Sequence, residues 1–364
     1  YSGGATCPSL LLEPSRTNLV TQSEYFGSSY WTKSRASFVN GFTSPEGLSN
    51  SYKLVEDSSN GLHAIYQNAN ITIPVGTATL SVFVKENGRN FFQIRTGSAA
   101  GITNAPLYAN FDLVNNLVTA QSAGANNAII EQYANGWKRL SISFTIASGT
   151  QVALVFQTIT SGTSVIGEGY TGDGTSGVFI YGAQLEAGSY QTSYIPTYGV
   201  SQTRARDECV GAGDSSTFNS SEGVLFWEGS ILSNTTIPGA IALIGAGSSN
   251  RVQFYNLGTS LVTLIQVGGS IVFQTSTGGT IDITTNHKYA VKWALNDFAL
   301  WVDGVEIATD TSGATFPNNT LNQLRFSDFG TNYLYANTKQ AITFNEALSD
   351  LDLAILTGAT TYNT

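Results

Sequence analysis

The feature that most constrains this chain is a two-residue alternation of apolar and polar side chains that recurs along its length. In TATLSVFVKE, Leu80, Val82 and Val84 fall on one face and Thr79, Ser81, Phe83 and Lys85 on the other. In WKRLSISFTIA, Leu140, Ile142, Phe144 and Ile146 alternate with Arg139, Ser141, Ser143 and Thr145; QVALVFQ continues with Val152, Leu154 and Phe156. Successive side chains of a strand point to opposite sides, so this period predicts half-buried strands of antiparallel sheets. Charged residues are only 11% of the 364, against about a quarter in ordinary domains, and the Leu, Ala, Glu and Lys runs that build helices are nearly missing. The expected fold class is all-β: two antiparallel β-sandwich domains in tandem.

Near residue 200 the texture changes. SYIPTYGVSQTRARDE carries a proline, a glycine and a small charged cluster, and reads as a linker. Strand patterning restarts in EGVLFWEGSI, RVQFYNLG, SIVFQTST and KYAVKWALN. FALWVDGVEIA reads as a hairpin, with Phe298, Leu300 and Val302 in phase and Asp303-Gly304 at the tight turn. Ser349, with Asp352 three residues on, predicts a capped helix start for LDLAIL. The expected organisation is an N-terminal segment 1–17, a first sandwich 18–198, a linker 199–216 and a second sandwich 217–364. With no methionine anywhere, the chain reads as part of a longer one.

The net charge of −9 and the absence of a basic stripe argue against nucleic acid and anionic membrane as partners. No apolar run approaches the ~20 residues of a membrane helix, so membrane insertion is not expected. An acidic surface rich in hydroxyls and amides suits neutral polar partners such as glycans. Cys7 and Cys209 fit no zinc cluster; a disulfide, a neighbouring thiol pair and free thiols all stay open.

Catalytic material is thin. A Glu-x-Asp-x-x-Glu strand motif, which would put paired carboxylates on one face, is missing. Asp303 and Glu306 have odd spacing across a turn. With two histidines, His63 and His287, neither a Ser-His-Asp triad nor a histidine metal cluster is well supplied. His63 beside Tyr66 is expected to be a hydrogen-bonded strand residue rather than part of a lyase-like pair.

LLLEPSRTNLVTQSEYFGSSYWTKSRAS, LSVFVKENGRNFFQIR, NGWKRLSISFTIA and YTGDGTSGVFIYGAQLEAGSYQTSYIPT resemble, in order from Leu10 to Thr197, a carbohydrate-binding-module-like jelly roll. Such domains recur in bacteriophage tail and other virion proteins and in some bacterial surface proteins. The second half, through ALWVDGVEIA and FNEALSDLDLAILTG, is similar to concanavalin A-like lectin and laminin-G sandwiches. The resemblance implies a non-enzymatic tail fibre, spike or head-decoration protein at the virion surface. It would be a homo-oligomer, a trimer by preference, meeting host-cell surface glycans and other virion proteins. A polysaccharide-degrading enzyme or its accessory module, and a bacterial adhesin, are the alternatives. In such chains the segment before Arg16 enters the first sandwich. Leu10 to Leu12 should then be covered by that sandwich or the linker, with Pro14 barring a central strand and Arg16 paired to Glu13 or Glu186.

Lectin-like sandwiches stack exposed aromatic rings on sugars. The candidates are Trp227, Tyr255, Trp301, Tyr333 and Tyr335 in the second half, and Trp31 and Tyr181 in the first, with Phe91 and Phe92 behind them; Trp137 reads as core. No cofactor is expected. Jelly rolls of this kind often hold a structural calcium through an Asp on the last strand, but GVFIYGAQLE places Tyr181 there. Asp173 in YTGDGT is the remaining oxygen donor for a loop ion, against a plain Asp-Gly turn.

Overall fold

A computed structural model describes residues 9–97, 101–148, 150–234, 239–328 and 332–359. Strands dominate, all sheet pairings between strands are antiparallel, and the chain divides into two units. One is built on Ser15–Ala205; the other takes Arg206–Thr364 together with the described residues up to Pro14.

In the first unit two six-stranded sheets face each other. One runs Leu117–Gln121, Tyr108–Asp112, Phe91–Thr96, Thr150–Ile159, Ala64–Ile73, Trp31–Ser34; the other Asn126–Gln132, Lys138–Ile146, Gly76–Asn87, Gly177–Ala187, Ser51–Glu56, Ala36–Phe42. The alternating sets Leu80, Val82, Val84 and Leu140, Ile142, Phe144 lie in the shared core with Phe92, Phe156 and Trp31. Their polar partners do not face water as the alternation implied. Thr79, Ser81, Arg139 and Ser143 are buried as well. The chain after Gly177–Ala187 folds back over this face: Thr79 donates to Gly188 O at 2.8 Å, Ser143 to Ser189 O at 3.0 Å and Arg139 to Thr192 O at 2.6 Å.

In the second unit a sheet ordered Leu10–Leu12, Ala336–Phe344, Gly223–Ile231, His287–Ala294, Asp297–Val302, Val305–Asp310 faces a five-stranded one, Ser270–Ser276, Ser260–Val267, Arg251–Leu257, Ala240–Ile244, Gln323–Arg325. The hairpin turn forms as expected, with Asp303 at φ 49° and Gly304 at φ 84°, both left-handed as a two-residue turn requires. The helix Asp350–Thr357 is capped by Ser349, whose hydroxyl accepts from Asp352 N–H at 3.2 Å. It covers the outer face of the six-stranded sheet over Val224, Phe226, Ala299 and Trp301. No described helix is long and apolar enough to cross a membrane.

The leucine run departs from expectation. Leu10–Leu12 is an edge strand of the second unit, in register with Ala336–Thr338. Leu12 enters that unit's core at 3% exposure, while Leu10 and Leu11 stay 44% and 42% exposed. Alternation puts Leu10 on the same side of the strand as Leu12, yet only Leu12 is covered by that unit's core. The chain then crosses at Pro14 into the first unit, where Arg16–Asn18 pairs with Gln202–Arg204. The first sandwich is thus inserted between the first strand of the second and the remainder of it. Arg16 sits 3.7 Å from buried Glu186, as anticipated.

Candidate functional site

The outer face of the sheet containing Gly177–Ala187 carries a second, aromatic core. Tyr181 and Phe83 stand opposite each other on adjacent strands, and Trp137 is buried with them. Tyr194 packs edge-on against both, 5.8 Å from Phe83 and 5.5 Å from Tyr181. This close approach depends on Gly182, which sits at a register shift in its strand with φ 60°. A Cβ there would lie 3.0 Å from the Phe83 ring and 3.1 Å from that of Tyr194.

Glu24 lies beside this core. The segment holding it is stitched to the returning chain: Asn18 donates to Ala183 O and Ile195 O, Ala183 N–H donates to Ser23 O, and Gln22 bridges Tyr198. The Glu24 side chain, 7% exposed as a residue, accepts from Tyr181 at 2.9 Å, Tyr194 at 3.3 Å, Tyr198 at 2.9 Å and Asn50 at 3.5 Å. Burial, then the Tyr194 hydroxyl and the Glu24 charge, pushes the Tyr181 phenol far up. Burial of its hydroxyl, then the hydrogen bond to Glu24, pushes Tyr198 up to about 12.

Glu24 is among the residues lining a cup of about 290 Å³. Its walls are Tyr25, Tyr52 and Tyr198, with Asn40, Asn50, Ser49 and Gly41 at the rim. Tyr25 and Tyr198 are 54% and 69% exposed, and Tyr25 tilts 43° against Tyr52 at 6.4 Å. A second hollow, about 240 Å³, is lined by Tyr133, Tyr181, Tyr194, Phe83, Glu46, Pro45 and Ser193. Glu24 is bonded to tyrosines of both hollows, so they share one hydrogen-bonded wall. The combination of accessible rings with a fixed carboxylate and amides can stack on a sugar ring and fix its hydroxyls.

Of the residues named from sequence, Tyr181 belongs to this wall, but as a buried support at 1% exposure. Trp31 and Trp227, also 1% exposed, are core residues, not platforms: their indole N–H groups donate to Gln22 O and Thr338 Oγ1. Trp301 points away from the core of its sandwich, as its phase implied, yet is 1% exposed because the C-terminal helix covers it. Trp137 is core as expected, Phe92 is fully buried and Phe91 half-buried. Tyr255 is half-buried, its hydroxyl 3.5 Å from Gln274 Nε2. Tyr333 is half-buried with the Arg206 guanidinium 4.2 Å from its ring centroid, and Tyr335 is half-buried. These three do not converge on a described cavity. Glu24, Tyr25, Tyr52 and Tyr198 were missed; the only sequence trace is the tyrosine density of SEYFG and YQTSYIPTYG.

Asp173 sits in the Asp-Gly turn, with Oδ1 accepting from Thr175 N–H, Thr175 Oγ1 and Ser176 N–H and Oδ2 3.7 Å from Arg89. Among the described residues no group of three or more His, Cys, Asp or Glu side chains is arranged to hold a metal. Cys209 is half-buried; Cys7, and with it the Cys7–Cys209 bridge, lies outside the described residues. His63 is buried with each ring nitrogen facing a backbone carbonyl, Arg35 O at 2.8 Å and Tyr170 O at 3.0 Å. His287 joins Asp303 at 2.5 Å and Thr285 Oγ1 at 2.9 Å, an order reminiscent of a triad. The nitrogen facing Thr285 also lies 3.1 Å from Asp282 O.

No protein-family model and no curated protein matches the chain. Among solved structures it is similar to the CBM40 of a Ruminococcus gnavus IT-sialidase bound to α2,3-sialyllactose, at 15% identity and TM-score 0.35, over 42% of this chain and 96% of that one. Sheep galectin-11 in complex with glycerol aligns at 10% identity and TM-score 0.27, over 38% and 98%. The leech intramolecular trans-sialidase aligns at 16% and 0.30, over 40% and 24%. What the coordinates define is an all-β chain of two antiparallel sandwiches.

Proposed function

We propose that this chain is a glycan-binding protein that holds a sugar in the tyrosine cup of its first sandwich and does not turn it over. The observation that carries the reading is Glu24: a nearly buried residue whose carboxylate is oriented by three phenols, lining a solvent-open hollow with aromatic walls. Tyr52 and Tyr198 stack on the ring, and Asn40, Asn50 and Glu24 direct its hydroxyls. The motif resemblance of Leu10 to Thr197 supports a place on a phage particle, outside the cell, in a trimer with other virion proteins and facing the host surface. No cofactor takes part.

A glycan array on the intact chain, followed by titration of the best sugar into Tyr52→Ala and Tyr198→Ala, tests the cup. Loss of one stacking ring, worth about 0.5–1.5 kcal/mol, should weaken binding up to about tenfold for each. A flat array, or variants that bind as the parent does, overturns the site. Particles lacking the protein that adsorb to host cells normally overturn the virion role.

A further inference from the structure

We infer that the cup selects a glycan carrying a protonated amine over its neutral and carboxylate-bearing counterparts. This rests on the sugar-binding reading above and adds the charge of the ligand. Among the described residues, every hydrogen bond to Glu24 comes from a neutral donor: the hydroxyls of Tyr181, Tyr194 and Tyr198 and the amide of Asn50. No ion pair to Glu24 is found among the described residues. A carboxylate so far withdrawn from water, with no opposite charge, is the group that gains most from a cation brought to it.

The walls point the same way. The faces of tyrosine rings carry the negative side of the ring quadrupole and attract ammonium groups. Tyr25, Tyr52 and Tyr198 surround the cup, and Tyr25 and Tyr198 are open to solvent. Neither hollow is lined by Lys, Arg or His, and the second adds the exposed carboxylate of Glu46. Arg139, on the same face of the sheet, lies over Phe83 of the second hollow and donates to Thr192 O and Ser81 Oγ, and it does not line the cup. An anionic sugar in the cup would meet the Glu24 carboxylate with no Lys, Arg or His among the residues that line it. A neutral sugar would stack but leave Glu24 unpaired.

The test uses three oligosaccharides of equal length: a glucosamine oligomer, its fully N-acetylated form and a uronate oligomer. Each is titrated calorimetrically into the intact chain at a mildly acidic pH where the amines are protonated. The amine form should bind about tenfold tighter than the acetylated form, the uronate weakest of all, and the preference should shrink as salt is raised. Glu24→Gln keeps an acceptor for the tyrosines and should erase the preference while leaving the acetylated oligomer bound. If that variant does not fold, the salt dependence in the parent decides. Equal binding of amine and acetylated forms, a salt-independent preference, or uronate as the tightest ligand overturns the charge selection and leaves the sugar site standing. Failure of all three oligomers to bind overturns both.

Discussion

Ser23 and Thr197 hydrogen-bond each other in both directions. Ser23 N–H donates to Thr197 Oγ1 at 3.0 Å, and Thr197 N–H donates to Ser23 Oγ at 2.8 Å. Both residues are fully buried, and each is the chain neighbour of a cup residue, Glu24 and Tyr198. Thr197 Oγ1 also donates to Val20 O at 2.6 Å. Thr197→Val keeps the shape but leaves the Ser23 amide and the Val20 carbonyl without that partner, a loss of about 1–3 kcal/mol for a buried group. Urea melts should register that loss, and sugar affinity should fall with it because Glu24 and Tyr198, which line the cup, lose their common anchor. A variant that melts and binds as the parent does would separate the clamp from the cup.

Leu12 makes the contrasting case. It sits at 3% exposure in the core of the second unit, while its neighbours Leu10 and Leu11 face solvent. Leu12→Ala should destabilise by about 2–4 kcal/mol, in the range for buried leucines, whereas Leu11→Ala should change stability by under about 0.5 kcal/mol. Sugar affinity should not change in either. Comparable melts for the two variants would disprove the burial of Leu12 alone in this edge strand.

These two cases mark what could be read in advance. Strand phase was legible: the set Leu80, Val82, Val84 is buried, Trp301 does face outward, and the Asp303-Gly304 turn and the Ser349 cap formed where local chemistry puts them. What covers an outward face was not legible, because the cover is supplied from elsewhere. Trp301 is hidden by Leu353 and Ala354, and Thr79, Ser81 and Phe83 by the chain that follows Ala187. Leu10–Leu12 adjoins the first sandwich in sequence yet pairs near the far end of the chain. The cup was illegible for the same reason. Glu24 meets its phenols across 157, 170 and 174 positions, and no period or spacing encodes such a meeting.

Gly182 links backbone geometry to that meeting. At φ 60° a side chain is strained, and a Cβ would press on Phe83 and Tyr194. Gly182→Ala should cost more than about 1 kcal/mol and displace Tyr194 from the wall shared by both hollows, lowering sugar affinity. Chemical denaturation together with ligand titration checks both halves. A variant as stable as the parent would mean that the bulge accommodates a methyl group.

Asp173 bears on the proposal that no ion takes part. Its Oδ1 already accepts three hydrogen bonds from its own turn, and its Oδ2 faces Arg89 at 3.7 Å, where a cation already stands. A chelator should therefore leave both the melting midpoint and sugar affinity unchanged. A fall in either that calcium restores would place an ion in the working protein.

The phenols around Glu24 predict an alkaline limit to stability. A free tyrosine loses its proton near pH 10, whereas Tyr198 in the folded chain is pushed up to about 12 by burial of its hydroxyl and by its bond to Glu24. Tyr181 and Tyr194 are raised as well, burial leading in both and the Glu24 charge adding to it. Between the free and folded values the folded state binds more protons than the unfolded one. Stability is therefore intact below pH 10 and falls as pH rises through that window. Urea melts at stepped alkaline pH, read beside phenolate absorbance, should show a group of tyrosines that ionise only as the chain unfolds. In Glu24→Gln the carboxylate's share of the shift is gone, so Tyr198 should ionise at lower pH while the fold is still intact. If all tyrosines of the folded parent ionise together near pH 10, the carboxylate does not hold these phenols and the wall between the two hollows is not built as described.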